Sequence, residues 1–301
     1  MKSEKPARSD VHQAVTDKII TMLEKAQENG FQMPWHRPGV SISRPTNAAT
    51  QKRYNGINVL SLWASADARN YRTGIWATYK QWQELGAQVR KGETSTPIVF
   101  YKSLEVEELE RTDTSDEDAT KRIHIAKGYF GFNADQVDGY RLPEAPTDTL
   151  VDRLAHAELF FSNIDVPISH GGTRAFYRPS EDRIQMPDLP LFRDTPTSSA
   201  TESYYAVLGH EAGHATGAPK RLDRDLSGRF GDAKYAMEEL IAELTSANLC
   251  ADLAITAQPR EDHAHYIKNW LQVLRKDKTA IFTAAAAAHR AAEYLHQLQP
   301  Q

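Results

Sequence analysis

The sequence predicts an α+β protein of two domains, an N-terminal α/β domain over residues 1–142 and a second domain of helices and short strands over 149–301. Three observations lead there. The 301 residues exceed one ordinary domain, since most domains hold about 150. Arg141-Leu-Pro-Glu-Ala-Pro146 concentrates proline as an interdomain linker does. Charge is also unevenly spread: residues 31–104 hold ten Lys or Arg against three Asp or Glu, and 105–118 hold eight acidic residues against one Arg. The chain is acidic again from 146 onward, so a basic module is masked within a net charge of −4.

The elements follow in order. Val11, Val15, Ile19, Met22, Leu23 and Ala26 recur at helical spacing over 10–29, and Asn29-Gly30 ends that helix. Phe31 to Pro38 is a Pro-punctuated loop. Tyr54-Asn-Gly-Ile-Asn58 places a turn before a helix running to about Arg69, and Thr78 caps a short helix that Gly86 stops. Pro97–Lys102 and His124–Asn133 read as paired strands. The charged, aromatic-poor segment Glu105–Asp118 between them reads as a long hairpin loop.

In the second domain a helix opens at about 149–161. Asp182–Pro187 alternates as a strand with Ile184 and Met186 on one face. From 262 the chain is helical, with Ile281, Ala285, Ala288, Ala292 and Leu295 as the packing face.

One cysteine excludes an intrachain disulfide framework and suits a reducing compartment. The first ten residues lack an apolar signal region, and no apolar run approaches the about 18 residues of a membrane span. A soluble, cytoplasmic protein with no membrane partner is expected.

The chemistry centres on Val207-Leu-Gly-His-Glu-Ala-Gly-His214. Thr201 and Ser203 serve as candidate caps, and Gly217 with Pro219 closes the helix. Tyr204, Leu208, Ala212 and Ala215 cluster on its packing side. His210 and His214 stand four residues apart, a little over one turn, so both imidazoles can hold one Zn²⁺. Glu211 can reach a water at that ion and take its proton. Mn²⁺ or Co²⁺ also suits two His and a carboxylate.

A third ligand is sought on the helix from Met237, whose buried stripe is Leu240, Leu244, Ala247 and Ala251. Glu239 and Glu243 share a face one turn apart, suited to one ligand and one carboxylate that accepts a ligating imidazole's N–H. Glu238 points elsewhere and ranks below them. Cys250 lies about 16 Å along the axis from Glu239 at 1.5 Å per residue, so it reads as core. A solvated acidic face would explain the three glutamates alone; beside His-Glu-x-x-His, a metal is the better account.

Four of the five tryptophans fall in the basic segment, interleaved with its cations. Cations that follow phosphates and aromatic faces that stack bases are the composition of a single-strand binder. No groove-entering recognition helix is evident for duplex readout. Candidate contacts are Trp35, Arg37, Arg53, Tyr54, Trp76, Lys80 and Lys91. Trp63 and Trp82, at helical apolar positions, read as core.

Two resemblances now follow from these residues. His210-Glu-x-x-His214, with Glu239 and Glu243 on a helix 25 residues later, resembles the gluzincin type of zincin metallopeptidase. That likeness implies Glu239 as zinc ligand and Glu243 as support for a histidine. It also implies an edge strand that pairs with an extended peptide substrate, expected at 182–187. Trp35-His-Arg-Pro38, Tyr54-Asn-Gly-Ile-Asn58, Thr78-Tyr-Lys-Gln-Trp82, Gly86-Ala-Gln-Val-Arg-Lys-Gly-Glu93 and Phe132-Asn-Ala-Asp-Gln-Val-Asp-Gly139 resemble, in order, the N-terminal domain of the ArdC antirestriction proteins of conjugative plasmids. Together the two likenesses cover nearly the whole chain.

The ArdC resemblance implies single-stranded DNA as partner and protection of incoming plasmid DNA from restriction. A peptide or protein substrate of unspecified identity is implied for the zinc domain. Two alternatives stay open: a cytoplasmic zinc metallopeptidase recruited to DNA-bound proteins, and a DNA-coating protein with a non-hydrolytic metal domain.

Overall fold

Side-chain caps set where several helices begin. Thr78 with Gln81, Thr149 with Asp152, and Ser199 with Glu202 each form a reciprocal capping box. The cap of the metal-motif helix is therefore Ser199. Thr201 and Ser203 lie inside the helix, because only Ser199 has a carboxylate three residues on to return the hydrogen bond.

The computed structural model describes residues 10–28, 43–107, 120–143, 149–195, 198–229, 232–256 and 263–300. Among these, the first half holds α1 (Val11–Glu28), β1 (Thr46–Asn47), α2 (Ile57–Ala68), β2 (Ile75–Thr78), α3 (Tyr79–Glu84), β3 (Gln88–Val89), β4 (Thr96–Glu107), β5 (Thr120–Asn133) and β6 (Val137–Asp138). The second half holds α4 (Leu150–Ser162), β7 (Ile168–His170), β8 (Phe176–Arg178), β9 (Arg183–Met186), α5 (Ala200–Ala215), α6 (Ala233–Asp252), α7 (His263–Lys276) and α8 (Ala280–Gln297). This is the α+β architecture that the sequence predicts.

The first sheet runs β1-β2-β5-β4, with β1 parallel to β2 and the other pairs antiparallel. Its long hairpin differs from expectation. Glu105, Val106 and Glu107 continue β4 rather than opening the loop, in register with Arg122, Lys121 and Thr120. Their alternation already has the strand period of two. Residues 108–118 of the predicted loop lie outside the described residues.

The side chain of Asn58 mimics a strand at the edge of β4. Its Nδ2 donates to the Val99 carbonyl and its Oδ1 accepts from the Val99 N–H, both at 2.8 Å. That contact ties α2 to the sheet.

β3 and β6 pair as a two-stranded sheet, and the sheet of the second half runs β7-β9-β8. The strand predicted at 182–187 forms as β9, with Ile184 and Met186 fully buried. It is not an edge, however. β7 and β8 occupy its two sides, so no substrate strand can pair with it, and β8 is the edge that faces the metal-motif helix.

One apolar core joins both halves. Val15, Ile19 and Leu23 of α1 and Leu60 of α2 pack with Leu240 and Leu244 of α6, Trp270 of α7 and Ala284 of α8. The i, i+4 stripe of α1 thus buries against helices more than 200 residues away in sequence. A polar junction adds to it: the buried side chain of Asp252 accepts from Arg53 at 2.7 Å and His296 at 2.9 Å and forms an ion pair with Arg44 at 2.9 Å. No helix among the described residues is long and apolar enough to cross a membrane.

Candidate metal centre

Close approach of α5 and α6 builds the centre. Gly213 makes it possible: a Cβ there would lie 3.0 Å from the Ala242 Cα and 3.2 Å from the Ala242 carbonyl oxygen. With the backbones this near, Glu239 of α6 reaches between the two histidines of α5. The His210 and His214 Nε2 atoms face each other at 3.1 Å. Glu239 oxygens stand 3.3 Å from the first and 3.5 Å from the second.

Three lone-pair donors, within 4.8 Å of one another, therefore converge on one point. His210 Nδ1 and Glu239 Oε2 are buried with no hydrogen-bond partner among the described residues. A cation at the point of convergence would satisfy Glu239 and relieve the facing imidazole nitrogens, so the donor set fits a divalent ion.

The surroundings divide the glutamates differently from expectation. Glu238, ranked lowest from sequence, has Oε1 3.2 Å from His214 Nδ1. Arg224 grips the same carboxylate through Nη2 at 2.8 Å and Nε at 3.0 Å. Arg224 also donates to the Gly213 carbonyl at 2.7 Å, fixing itself to the end of α5. Glu243 Oε2 lies 3.7 Å from His210 Nδ1, beyond a hydrogen bond. The closer carboxylate–histidine contact is thus on His214.

Burial disfavours a charged His214, but hydrogen bonds to Glu238 and Glu239 outweigh it and push its pKa up to about 10. Glu239 shows the complementary balance: burial would raise its pKa, and the imidazoles of His210 and His214 beside it pull it well below the carboxylate range.

Glu211 faces the same cleft, a cavity of about 250 Å³ whose walls include Phe176, Tyr177 and Tyr235. The Tyr177 N–H donates to Glu211 Oε2 at 2.9 Å. Tyr177 is held in turn: its hydroxyl donates to Asp182 at 2.7 Å, and Arg221 bridges Asp182 and Asp165 at 2.6 and 3.0 Å. Tyr235 meets the Tyr266 hydroxyl at 3.2 Å, and burial, then Tyr266 and Glu239, raise its pKa so that it stays a phenol.

Sequence reading ranked Glu238 below its neighbours and missed Arg224, the Tyr177 amide and Tyr235. Only Tyr235 had a signal, one helical turn before Glu239.

The N-terminal candidates separate. Trp76 is fully buried and Tyr54 is 6% exposed, so neither presents a ring face to a base. Both belong to a core cluster with Val59, Leu62 and Ile98, where an indole and a phenol gain more from packing than from solvent. Arg53 is engaged by Asp252. Lys80 is exposed beside Glu84, 3.6 Å away, and Lys91 is exposed. Trp35 and Arg37 lie outside the described residues. Among the described residues, the structure does not gather these candidates into one site.

Comparison with known proteins follows the same division. The family model for the N-terminal domain of anti-restriction factor ArdC matches residues 9–132, and that for a zincin-like metallopeptidase matches 155–287. The uncharacterized protein y4eC of Sinorhizobium fredii is 48% identical over 293 residues, spanning 97% of this chain and 93% of that protein. A DNA primase TraC of Escherichia coli is 39% identical over 305 residues, spanning 94% of this chain but 27% of the primase.

Crystal structures of the antirestriction protein ArdC from plasmid R388 are similar over 96% of this chain, each with a TM-score of 0.75. Identity is 37% to the metal-free form, of which 97% is covered, and 35% to the Mn(II)-bound form, of which 98% is covered. Fold and site thus define a zincin-like metallopeptidase domain joined to an ArdC-type N-terminal domain. The chain belongs to the ArdC antirestriction family.

Proposed function

We propose that the protein binds single-stranded DNA through residues 1–142, protects incoming plasmid DNA during conjugation, and hydrolyses peptide bonds at the centre built from residues 149–301. Its place of action is the cytoplasm. The hydrolytic part rests on one observation, the convergence of His210, His214 and Glu239 beside Glu211 in a single cleft. Zn²⁺ is the proposed ion, and the Mn(II)-bound form of ArdC from plasmid R388 supports a divalent metal. When bound, the ion polarises the scissile carbonyl and acidifies water.

The protein's own groups do the rest. His210, His214 and Glu239 hold the ion, and Glu238 keeps His214 oriented through its Nδ1. The Tyr177 N–H fixes Oε2 of Glu211, aiming that carboxylate into the cleft. Glu211 takes the proton of the attacking water and later delivers it to the leaving nitrogen.

The test is cleavage of proteins bound to single-stranded DNA by the full chain, since the two halves share a core. Glu211→Gln should lower turnover by about 10²–10⁴-fold. Hydrolysis that persists unchanged would refute the assignment. If hydrolysis is lost while antirestriction survives, protection belongs to DNA binding alone. That outcome would favour the reading in which the chain coats DNA.

A further inference from the structure

The aromatic-rich N-terminal half turns Trp76 and Trp82 inward, yet it leaves other rings in solvent. Ile98 and Val99 of β4 are buried, and the next residue, Phe100, is 47% exposed. Register places Ile98 opposite Tyr129 and Phe100 opposite Lys127. Because strands alternate, Ile98, Phe100, Lys127 and Tyr129 share one face of the sheet. The cluster that contains α2 residues Val59 and Leu62 covers this face at Ile98. One step further along the hairpin the cover ends, and Tyr129 is 37% exposed beside Phe100.

The exposed group has a definite shape. Phe100 and Tyr129 meet at 5.2 Å with ring planes 89° apart. The Lys127 ammonium stands 5.3 Å from the Tyr129 ring centre. Two aromatic surfaces and a cation therefore occupy one patch.

We propose that Phe100, Tyr129 and Lys127 form the face on which single-stranded DNA stacks, bases against the rings and phosphate at the ammonium. This rests on the single-strand reading above and supplies the stacking residues that Tyr54 and Trp76 cannot. An apolar protein surface would cover the rings only by desolvating Lys127, which is costly without a counter-charge. A polyanion whose bases have aromatic faces satisfies rings and cation together. Duplex DNA keeps its base faces stacked inside the helix, so this patch selects single strands.

The experiment uses the full chain and labelled oligothymidylate in anisotropy titrations, with folding checked by thermal melts. Phe100→Ala and Tyr129→Ala should each weaken binding about tenfold, the worth of one stacked base. Tyr129→Phe, which keeps the ring, should bind as the wild type does. Lys127→Ala should lower the slope of log affinity against log salt by about one. Phe130 is the control: it is 62% exposed on the same strand but the opposite face, and Phe130→Ala should leave affinity unchanged.

If the wild type binds single strands and both ring deletions bind equally well, the stacking face is elsewhere and this proposal fails alone. A wild type that binds no single-stranded DNA overturns the proposal and the reading beneath it together.

Discussion

The metal centre and the N-terminal sheet use distinctive motifs for opposite purposes. At the centre, His210, Glu211 and His214 turn into a cleft where chemistry can happen. In the sheet, the motif residues mostly brace the fold. Tyr54 donates no ring to solvent; its hydroxyl meets Asn47 at 2.9 Å. Asn58 clamps β4, Gln81 closes the cap on α3, and Gln136 donates to Glu93 at 2.9 Å. A motif built from amides and glycines is therefore evidence of a demanding backbone, and one built from imidazoles and carboxylates is evidence of a site.

The sharpest way to break that comparison is Trp76→Ala. If Trp76 braces the fold, unfolding free energy in a denaturant titration should fall by about 3–5 kcal/mol, as for other large-to-small changes at buried aromatics. A loss of DNA affinity at unchanged stability would instead make it a contact residue. It would also erase the distinction between the two regions.

How much was legible follows from how far each feature reaches along the chain. His210 and His214 are set by a local helical period; the same period on the following helix narrows the third donor to Glu239 or Glu243, and only the gluzincin resemblance assigns it to Glu239. Glu238 was misranked because its role depends on the angle at which α6 crosses α5 and on Arg224, supplied by the loop between them. No one-dimensional pattern encodes that meeting. Trp76 and Phe100 illustrate the second limit: both sit in strands rich in apolar residues, and one is fully buried while the other is 47% exposed. Composition finds the aromatics, but only the end of the α2 cover decides which face water. The shared core was hidden for the same reason, since the stripe of α1 does not say which helix it meets.

Glu238→Gln sharpens the other side of the comparison. It removes the charge behind His214 while leaving the three donors in place. Metal affinity, measured by competition with a chelator, should fall about 10–100-fold, the usual worth of a carboxylate behind a ligating histidine. Glu243→Gln should cost less, because its oxygen stands 3.7 Å from His210 where Glu238 stands 3.2 Å from His214. Equal losses would restore the pairing expected from sequence.

The smallest effect is electrostatic and belongs to the centre alone. In the metal-free protein, carboxylates hold the His214 pKa at about 10 against a usual 6.5. A raised pKa stabilises the fold through the protonated form, so this contribution is complete below about pH 6.5 and is lost as pH rises through about 10. Metal binding has the opposite requirement, because only neutral imidazole can ligate. At neutral pH, loading the ion should therefore expel one proton from His214, and affinity should rise about tenfold per pH unit. Calorimetry in two buffers of different ionisation enthalpy counts that proton. A count near zero would mean that His214 is already neutral, and that Glu238 orients the ring without charging it.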